Sequence, residues 1–390
     1  VKAVKCTTIG EVCAFLNGGT PSRSIERYFQ GDIPWITGAD IISPVVTTAR
    51  SFITDEAVKS SATNRVPAGT VLLVTRTSVG KVATAGVELC FSQDITALTP
   101  DSSCLHTPYL VEFLKTQETH FERQARGATI KGITRQVVAD LEISLPPLPE
   151  QRRIAQVLEK AEALRVKRRA AIAELDSLTQ FLFLDLFGDP SANAKGFPKK
   201  TLALLVREDD TINYGVVQPG DDLDEGVPLV RVGDLIEGEV RHSELKRIAP
   251  SIEAAYKRSR LRGDEILVSC VGSIGVVALA NETVKGFNIA RAVARIPLAE
   301  TTNRLFMAAY LRSDFVQRYF TSELRTVSQP TLNIKQISET TVILPPIELQ
   351  NEFARRATVV EKLKTAQRAS LAELDALFAT LQHRAFRGEL

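Results

Sequence analysis

Residues 173–178 read Ala-Glu-Leu-Asp-Ser-Leu and residues 372–377 read Ala-Glu-Leu-Asp-Ala-Leu, so nearly the same hexapeptide recurs 199 positions further on. At that offset Leu145-Pro146-Pro147-Leu148 also falls on Leu344-Pro345-Pro346-Ile347. Apolar positions along the same stretch coincide: Ile154 with Phe353, Ala161 with Val360, Ile172 with Leu371, Leu175 with Leu374, Leu178 with Leu377 and Leu182 with Leu381. Their spacing of three and four residues is that of a helix face. A constant offset across a Pro-Pro start and several apolar registers marks an internal duplication rather than chance reuse of a short string.

Two long helices follow from the repeat. From Glu150 to about Phe187, and from Glu348 to about Phe386, there is no proline or internal glycine, and Ala, Leu, Glu, Arg and Lys dominate. Leu-Pro-Pro precedes each, and Gly188-Asp189-Pro190 stops the first. On heptads the first helix places Ile154, Ala161, Arg168, Leu175 and Leu182 at one seam position, with Leu158, Arg165, Ile172, Thr179 and Leu186 at the other. The second places Phe353, Val360, Gln367, Leu374 and Leu381 with Ala357, Lys364, Leu371, Phe378 and Ala385. Both seams are interrupted at the same place, by Arg165 and Arg168 and by Lys364 and Gln367. Such a break either fixes register at a cost in stability or lets its side chains snorkel to solvent, and the sequence leaves both open.

Outside the helices the halves match more loosely, at offsets of 194 to 197, with landmarks in the same order. Ile33-Pro34-Trp35-Ile36 with Asp40-Ile41 answers Val227-Pro228-Leu229-Val230 with Asp234-Leu235. Val71-Leu72-Leu73-Val74 answers Ile266-Leu267-Val268. These short, glycine-bounded, β-branched runs predict buried strands. An amphipathic helical stretch follows in each half, Tyr109 to Thr119 and Leu305 to Phe320. The expected fold is therefore α+β: two similar mixed α/β globules, 1–145 and 189–344, with spacer helices at 146–188 and 345–390. Like units pair isologously about a two-fold axis, so the helices should form an antiparallel coiled coil, pseudo-two-fold overall. Two readers held at a fixed separation suit a bipartite target on duplex DNA.

Bulk composition agrees with this plan. A chain of 390 residues with 44% hydrophobic and 24% charged residues is ordinary for two or three globular domains. There is no run of eighteen apolar residues, and the start Val-Lys-Ala-Val-Lys-Cys lacks a signal-peptide core, so a cytoplasmic protein without a membrane partner is expected. Cys6, Cys13, Cys90, Cys104 and Cys270 are odd in number and widely spaced, which reads as free thiols. A net charge of +2 argues against coating nucleic acid by bulk electrostatics and leaves room for local basic patches.

The order of globule, Pro-Pro-led helix, globule and second helix resembles the DNA-specificity subunit of type I restriction-modification enzymes. The resemblance covers the whole chain. It rests on Leu145-Pro146-Pro147-Leu148-Pro149-Glu150-Gln151-Arg152-Arg153-Ile154, and on Gly18-Gly19-Thr20-Pro21-Ser22 with Ile33-Pro34-Trp35-Ile36. One departure is visible at the second helix start, Pro345-Pro346-Ile347-Glu348-Leu349-Gln350, where the Glu-Gln pair is broken up. The resemblance implies that each globule is a target-recognition domain for half of a split, asymmetric sequence on double-stranded DNA. It also implies that the helices are a spacer and a dock for two methyltransferase subunits, with motor and nuclease subunits as further partners. S-adenosylmethionine would then belong to the methyltransferase and no cofactor to this chain. The sequence has no Asn-Pro-Pro-aromatic string, no Gly-rich cofactor loop after a strand and no Walker loop.

Candidate DNA contacts are basic and amide-bearing residues on Gly-rich loops between strands. In the first half these are Thr20, Ser22, Arg76, Thr77, Ser78, Lys81, Arg126, Thr129 and Lys131; in the second, Ser273, Arg291, Arg325, Ser328, Gln329, Thr331, Asn333 and Lys335. Each alone fits an ordinary solvated loop, whereas the matched placement of the last loop in each half, just before Leu-Pro-Pro, points to DNA contact. Spacer and docking residues are Glu150, Gln151, Ile154, Leu158, Leu175, Leu182, Phe353, Val360, Leu374 and Leu381. His106, His120, His242 and His383 lack ligand or triad spacing and read as surface residues. Asp209-Asp210 and Asp221-Asp222 read as solvated acids, and Tyr28 and Trp35 as packing residues. Neither catalytic residues nor metal ligands are expected. The competing readings are a DNA-modifying enzyme acting alone and a coiled-coil scaffold unrelated to DNA.

Overall fold

Residues 5–127, 131–324 and 330–390 are described by the computed structural model. The chain forms two compact units, Val1–Arg169 with Ala369–Leu390, and Ala170–Arg368. The first globule is built on Val71–Val74, whose four side chains are all buried. A strand apolar on both faces belongs in the middle of a layered core. It pairs antiparallel with Ile95–Pro100 and Val82–Ala85, which Cys13–Asn17 and Val45–Val46 extend to five strands. A second sheet orders Ser51–Ile53, Ile33–Ile36, Leu89–Phe91 and Asn64–Val66. In it Trp35 is buried and donates its indole N–H to the carbonyl of Gly19 at 3.1 Å, so it packs. The helices Thr107–Thr116 and Glu118–Gln124 cover the core, and Lys5–Thr8 pairs with Glu142–Leu145 at the exit.

The second globule repeats the plan around Ile266–Ser269, flanked by Val293–Ile296 and Val277–Leu279. A three-stranded sheet holds Val227–Val230 between Lys246–Ile248 and Asn288–Ile289. Arg304–Arg312 and Asp314–Ser322 are its helices, and Lys199–Thr201 pairs with Thr341–Ile343 at the exit. Each amphipathic stretch is thus two helices, broken where Gln117 and Ser313 leave helical geometry. All five cysteines are free. One expectation fails: Asp210 is not solvated, because it pairs with the guanidinium of Arg295, which is 2% exposed. Asp209, Asp221 and Asp222 are exposed.

The long helices run over Leu148–Phe187 and Ile347–Phe386, 40 residues each. Their starts are anchored alike. The buried Gln151 accepts from His106 N–H at 2.8 Å and donates to Cys104 and Pro146 carbonyls at 2.8 and 2.9 Å. Gln350 accepts from Asn303 N–H at 2.9 Å and donates to the Pro345 carbonyl at 2.8 Å. The broken Glu-Gln pair therefore leaves the glutamine anchor intact. Every seam position of both heptads is buried or half-buried.

Both compact units take a segment from each long helix. In the first, Ile154 and Leu158 share a core with Phe378 and Ala385, and Phe386 packs 5.2 Å from Tyr109. In the second, Phe353 packs 5.7 and 5.6 Å from Phe183 and Phe187. Within each unit the two segments run antiparallel, and the polar breaks stay inside the seam. Arg165 donates to Asp375 at 2.5 Å, and its guanidinium lies 4.3 Å over the Phe378 ring. Lys364 pairs with Asp176 at 2.6 Å and Glu361 at 2.8 Å. Burial opposes the Lys364 charge, but these two carboxylates hold its pKa above the ordinary lysine value. Asp176 and Asp375 are the aspartates of the two hexapeptides, so each repeat supplies the counter-charge for a seam cation on the other helix.

Candidate nucleic-acid interface

Three segments distant in sequence meet at one rim of the first globule. The hairpin after Val71–Val74 is closed by Val74 N–H to the Lys81 carbonyl at 2.9 Å and Gly80 N–H to the Val74 carbonyl at 3.0 Å. The loop before the exit is stitched to it by Thr77 N–H to the Lys131 carbonyl at 3.0 Å and Ile133 N–H to the Thr75 carbonyl at 2.9 Å. Bridges join Gly132 to both Arg76 and Arg126. The third segment is a tight turn, with Ile95 N–H bonded to the Ser92 carbonyl at 3.1 Å and Thr75 N–H to that of Asp94 at 2.8 Å. The three enclose an open cleft of about 380 Å³, walled by Arg76, Arg126, Gln93 and Asp94 and floored by Gly132, Ile133 and Thr134.

Among the sequence-named residues, Arg76 and Arg126 line this cleft, and Thr20 reaches it by donating its hydroxyl to the Gln93 amide oxygen. Thr77, Ser78 and Lys81 are on the hairpin and Lys131 on the stitched loop. Ser22 instead shares a 2.8 Å hydrogen bond with Ser24. Thr129 lies outside the described residues. Arg76, Lys81, Arg126 and Lys131 are exposed, and no ion pair engages them among the described residues. Arg27, Arg50 and Arg65 of the same globule are neutralised by carboxylates. Cations left unpaired at a cleft are available to phosphate and to base edges.

The second globule forms the same junction with other side chains. Ser269 N–H bonds the Val276 carbonyl at 2.9 Å, Leu332 N–H that of Cys270 at 2.9 Å, and a bridge joins Val271 to Thr331. Its tight turn is closed by Val293 N–H to the Ala290 carbonyl at 2.9 Å. Valines 271 and 276 stand where Arg76 and Lys81 stand in the first globule, and Arg291, at the turn, is an exposed cation here. Ser273 is exposed, and its carbonyl accepts from the Ser269 hydroxyl. Asn333 begins the helix Ile334–Ser338, and Lys335 lies 3.7 Å from Glu339. Arg325, Ser328 and Gln329 lie outside the described residues.

Sequence reasoning missed Gln93 and Asp94. The signal was present, since Arg291 was singled out and Gln93 is its counterpart. The turns match at an offset of 198 and the hairpins at 195, however, so one fixed offset does not pair them.

On the helices, Glu150 pairs with Arg153 at 2.5 Å, whereas Gln151, Ile154 and Leu158 are buried in the first unit. Phe353 and Val360 are buried, and Leu175, Leu182, Leu374 and Leu381 half-buried. Other apolar residues face outward, Phe181 most of all at 73% exposed; among them Leu164 and Leu363 are 54% and 49% exposed, Leu178 and Leu377 44% and 52%. Both leucine pairs obey the 199 offset, and each compact unit carries one member of each pair. Among the described residues no group of three or more His, Cys, Asp and Glu could hold a metal ion, and no helix is long and apolar enough to cross a membrane. His120, His242 and His383 are exposed; His106 is half-buried, and burial and the nearby Arg152 lower its pKa.

A family described as type I restriction modification DNA specificity domain matches twice, over residues 2–174 and 207–375. The chain is 33% identical over 295 residues to the Type I restriction enzyme EcoBI specificity subunit of Escherichia coli, a match covering 68% of this chain and 61% of that relative. It is 32% identical over 168 residues to the EcoR124I/EcoR124II specificity subunit of Escherichia coli, covering 41% of each chain. In fold it is similar to the crystal structure of a type I restriction-modification system S subunit from M. genitalium, with TM-score 0.58, 17% identity and coverage of 99% of this chain and 97% of that one.

Proposed function

Since this chain belongs to the type I restriction-modification DNA specificity family, we propose that it is a non-catalytic subunit that recognises a bipartite, asymmetric sequence in double-stranded DNA and directs partner methyltransferase and restriction subunits to it. The carrying observation is one three-loop junction built twice on matched backbone hydrogen bonds and lined with different side chains. Matched backbone hydrogen bonds with different side-chain chemistry suit two unlike half-sites. Two methyltransferase subunits dock on the long helices, one for each copy of the exposed leucine pair, and they bring the S-adenosylmethionine. Paired apolar surface repeated at a fixed offset is what two identical partners require. The complex works in the cytoplasm, where its DNA is.

Mapping methylated sites after co-expression with the partner methyltransferase tests this. Arg76→Ala with Arg126→Ala should weaken binding through the first globule without changing the other half-site, and Arg291→Ala should weaken or alter the second half-site, with about 1–3 kcal/mol lost per base contact. A first-globule substitution that changes the second half-site ends the modular reading. Methylation or cleavage by the isolated chain would show an enzyme, and failure to bind any duplex with partners present would show a scaffold. For docking, Leu164→Glu with Leu363→Glu should abolish co-purification of the methyltransferase, and either alone should halve it.

A further inference from the structure

We propose that Gln93 and Arg291 are the equivalent base-reading side chains of the two globules, Gln93 selecting an A·T pair in one half-site and Arg291 a G·C pair in the other; this rests on the DNA-recognition reading above. Three backbone hydrogen bonds make the positions equivalent. Ser92 N–H bonds the Ile36 carbonyl at 2.8 Å and Ala290 N–H that of Val230 at 2.9 Å. Ile95 N–H bonds the Ser92 carbonyl at 3.1 Å and Val293 N–H that of Ala290 at 2.9 Å. Thr75 N–H bonds the Asp94 carbonyl at 2.8 Å and Cys270 N–H that of Ala292 at 2.7 Å. Each residue therefore occupies the second position of the same tight turn, locked to the strand beneath it and to the hairpin beside it.

A locked turn with an exposed side chain at its tip is a rigid mount on which chemistry can change without moving the backbone. In the first globule the tip faces the cleft that also holds Arg76 and Arg126. Two guanidiniums beside one amide divide naturally into phosphate anchors and a reader. Gln93 is held from behind, since the Thr20 hydroxyl donates to its amide oxygen. That oxygen keeps a second lone pair and the amide nitrogen keeps its donors, the combination that meets adenine N6 and N7. In the second globule Val217 replaces Thr20, valines replace the hairpin cations, and Arg291 presents an exposed donor fork at the turn. A guanidinium fork matches guanine O6 and N7.

The test is a reciprocal exchange in the full chain, co-expressed with its methyltransferase and read by sequencing methylated sites. Gln93→Arg should convert one required A·T pair in one half-site to G·C, and Arg291→Gln should do the reverse in the other half-site, with all other pairs and the gap unchanged. Gln93→Ala and Arg291→Ala, exposed truncations that leave the turn intact, should relax discrimination at the same pair roughly tenfold or more. Unchanged sites with unchanged discrimination in all four variants would overturn the assignment and leave DNA recognition standing. So would a uniform loss of affinity across sequences with a salt slope smaller by about one, the signature of a phosphate contact. A wild-type complex whose methylated sites share no bipartite sequence would remove the recognition reading and this inference together.

Discussion

The two globules share the register of their central strands yet differ in what lies against them. In the first, Ala97 opposes Leu72 and Thr70 precedes the central strand. At the same places in the second, Arg295 opposes Leu267 and Glu265 precedes the strand, both essentially out of solvent. Arg295 reaches Glu265 at 3.2 Å and also pairs with Asp210, while Glu265 accepts the N–H groups of Arg262, Gly263 and Asp264 at 2.7, 3.0 and 3.1 Å. A similar contrast holds at the hairpin, where Thr77 has φ of 66° and its counterpart Gly272 has 77°. The lesson is that backbone hydrogen bonds carry this fold, while core chemistry and rim chemistry are replaceable on top of it. That independence lets one duplicated scaffold present two different readers.

The buried triad gives the largest expected effect. Arg295→Met should cost about 3–5 kcal/mol, because it strands Glu265 and Asp210 in the interior. Hydrogen-exchange protection should fall at Ile266–Ser269 far more than at Val71–Val74. Removing all three charges together, Arg295→Ala with Glu265→Thr and Asp210→Ala, should recover much of the loss; if it does not, the globules are not interchangeable at this level. Next come the seam cations. Removing either should cost about 1–2 kcal/mol after allowing for partial exposure of the aspartates. Arg165→Ala should exceed Lys364→Ala by roughly 0.5–1 kcal/mol, since only Arg165 lies over an aromatic ring. Double-mutant cycles with Asp375 and Asp176, read by urea denaturation, measure both. The smallest effect is at the hairpins. Thr77→Gly should gain about 1 kcal/mol by relieving a β-branched residue in the left-handed region, and Gly272→Thr should lose a similar amount. Equal signs for the two in thermal unfolding would show that the hairpins are not equivalent.

Much of this was legible beforehand because it is periodic or local. The helices, their Leu-Pro-Pro starts, their heptads and the central strands are properties of neighbouring residues, and the structure has them where periodicity put them. What was illegible depends on register between distant segments. Nothing near Gln93 announces that its turn is pinned to the Thr75 hairpin and faces Arg126. Likewise Asp210 reads as a loop acid until strand pairing brings Arg295 beneath it. The polar seam residues were visible as interruptions, but their use became clear only when Asp176 and Asp375 proved to be their partners across the seam.

Each long helix is divided between the two compact units, and this has a consequence for biosynthesis. The first unit is completed by Phe378 and Ala385, which belong to its core, and by Phe386, which packs beside Tyr109 and Phe113. Those residues leave the ribosome about 220–230 residues after the helix segment they cover, a delay of roughly 11–46 s at about 5–20 residues per second. During that interval Ile154 and Leu158 lack their Phe378 and Ala385 neighbours, and the nascent first globule presents uncovered apolar surface. The second unit has no such wait, since its contribution from the first long helix, Phe183 and Phe187, precedes the globule it joins. Nascent chains stalled before residue 369 should therefore bind holdase chaperones through their first half, and release should coincide with emergence of the last helical turns rather than with completion of either globule.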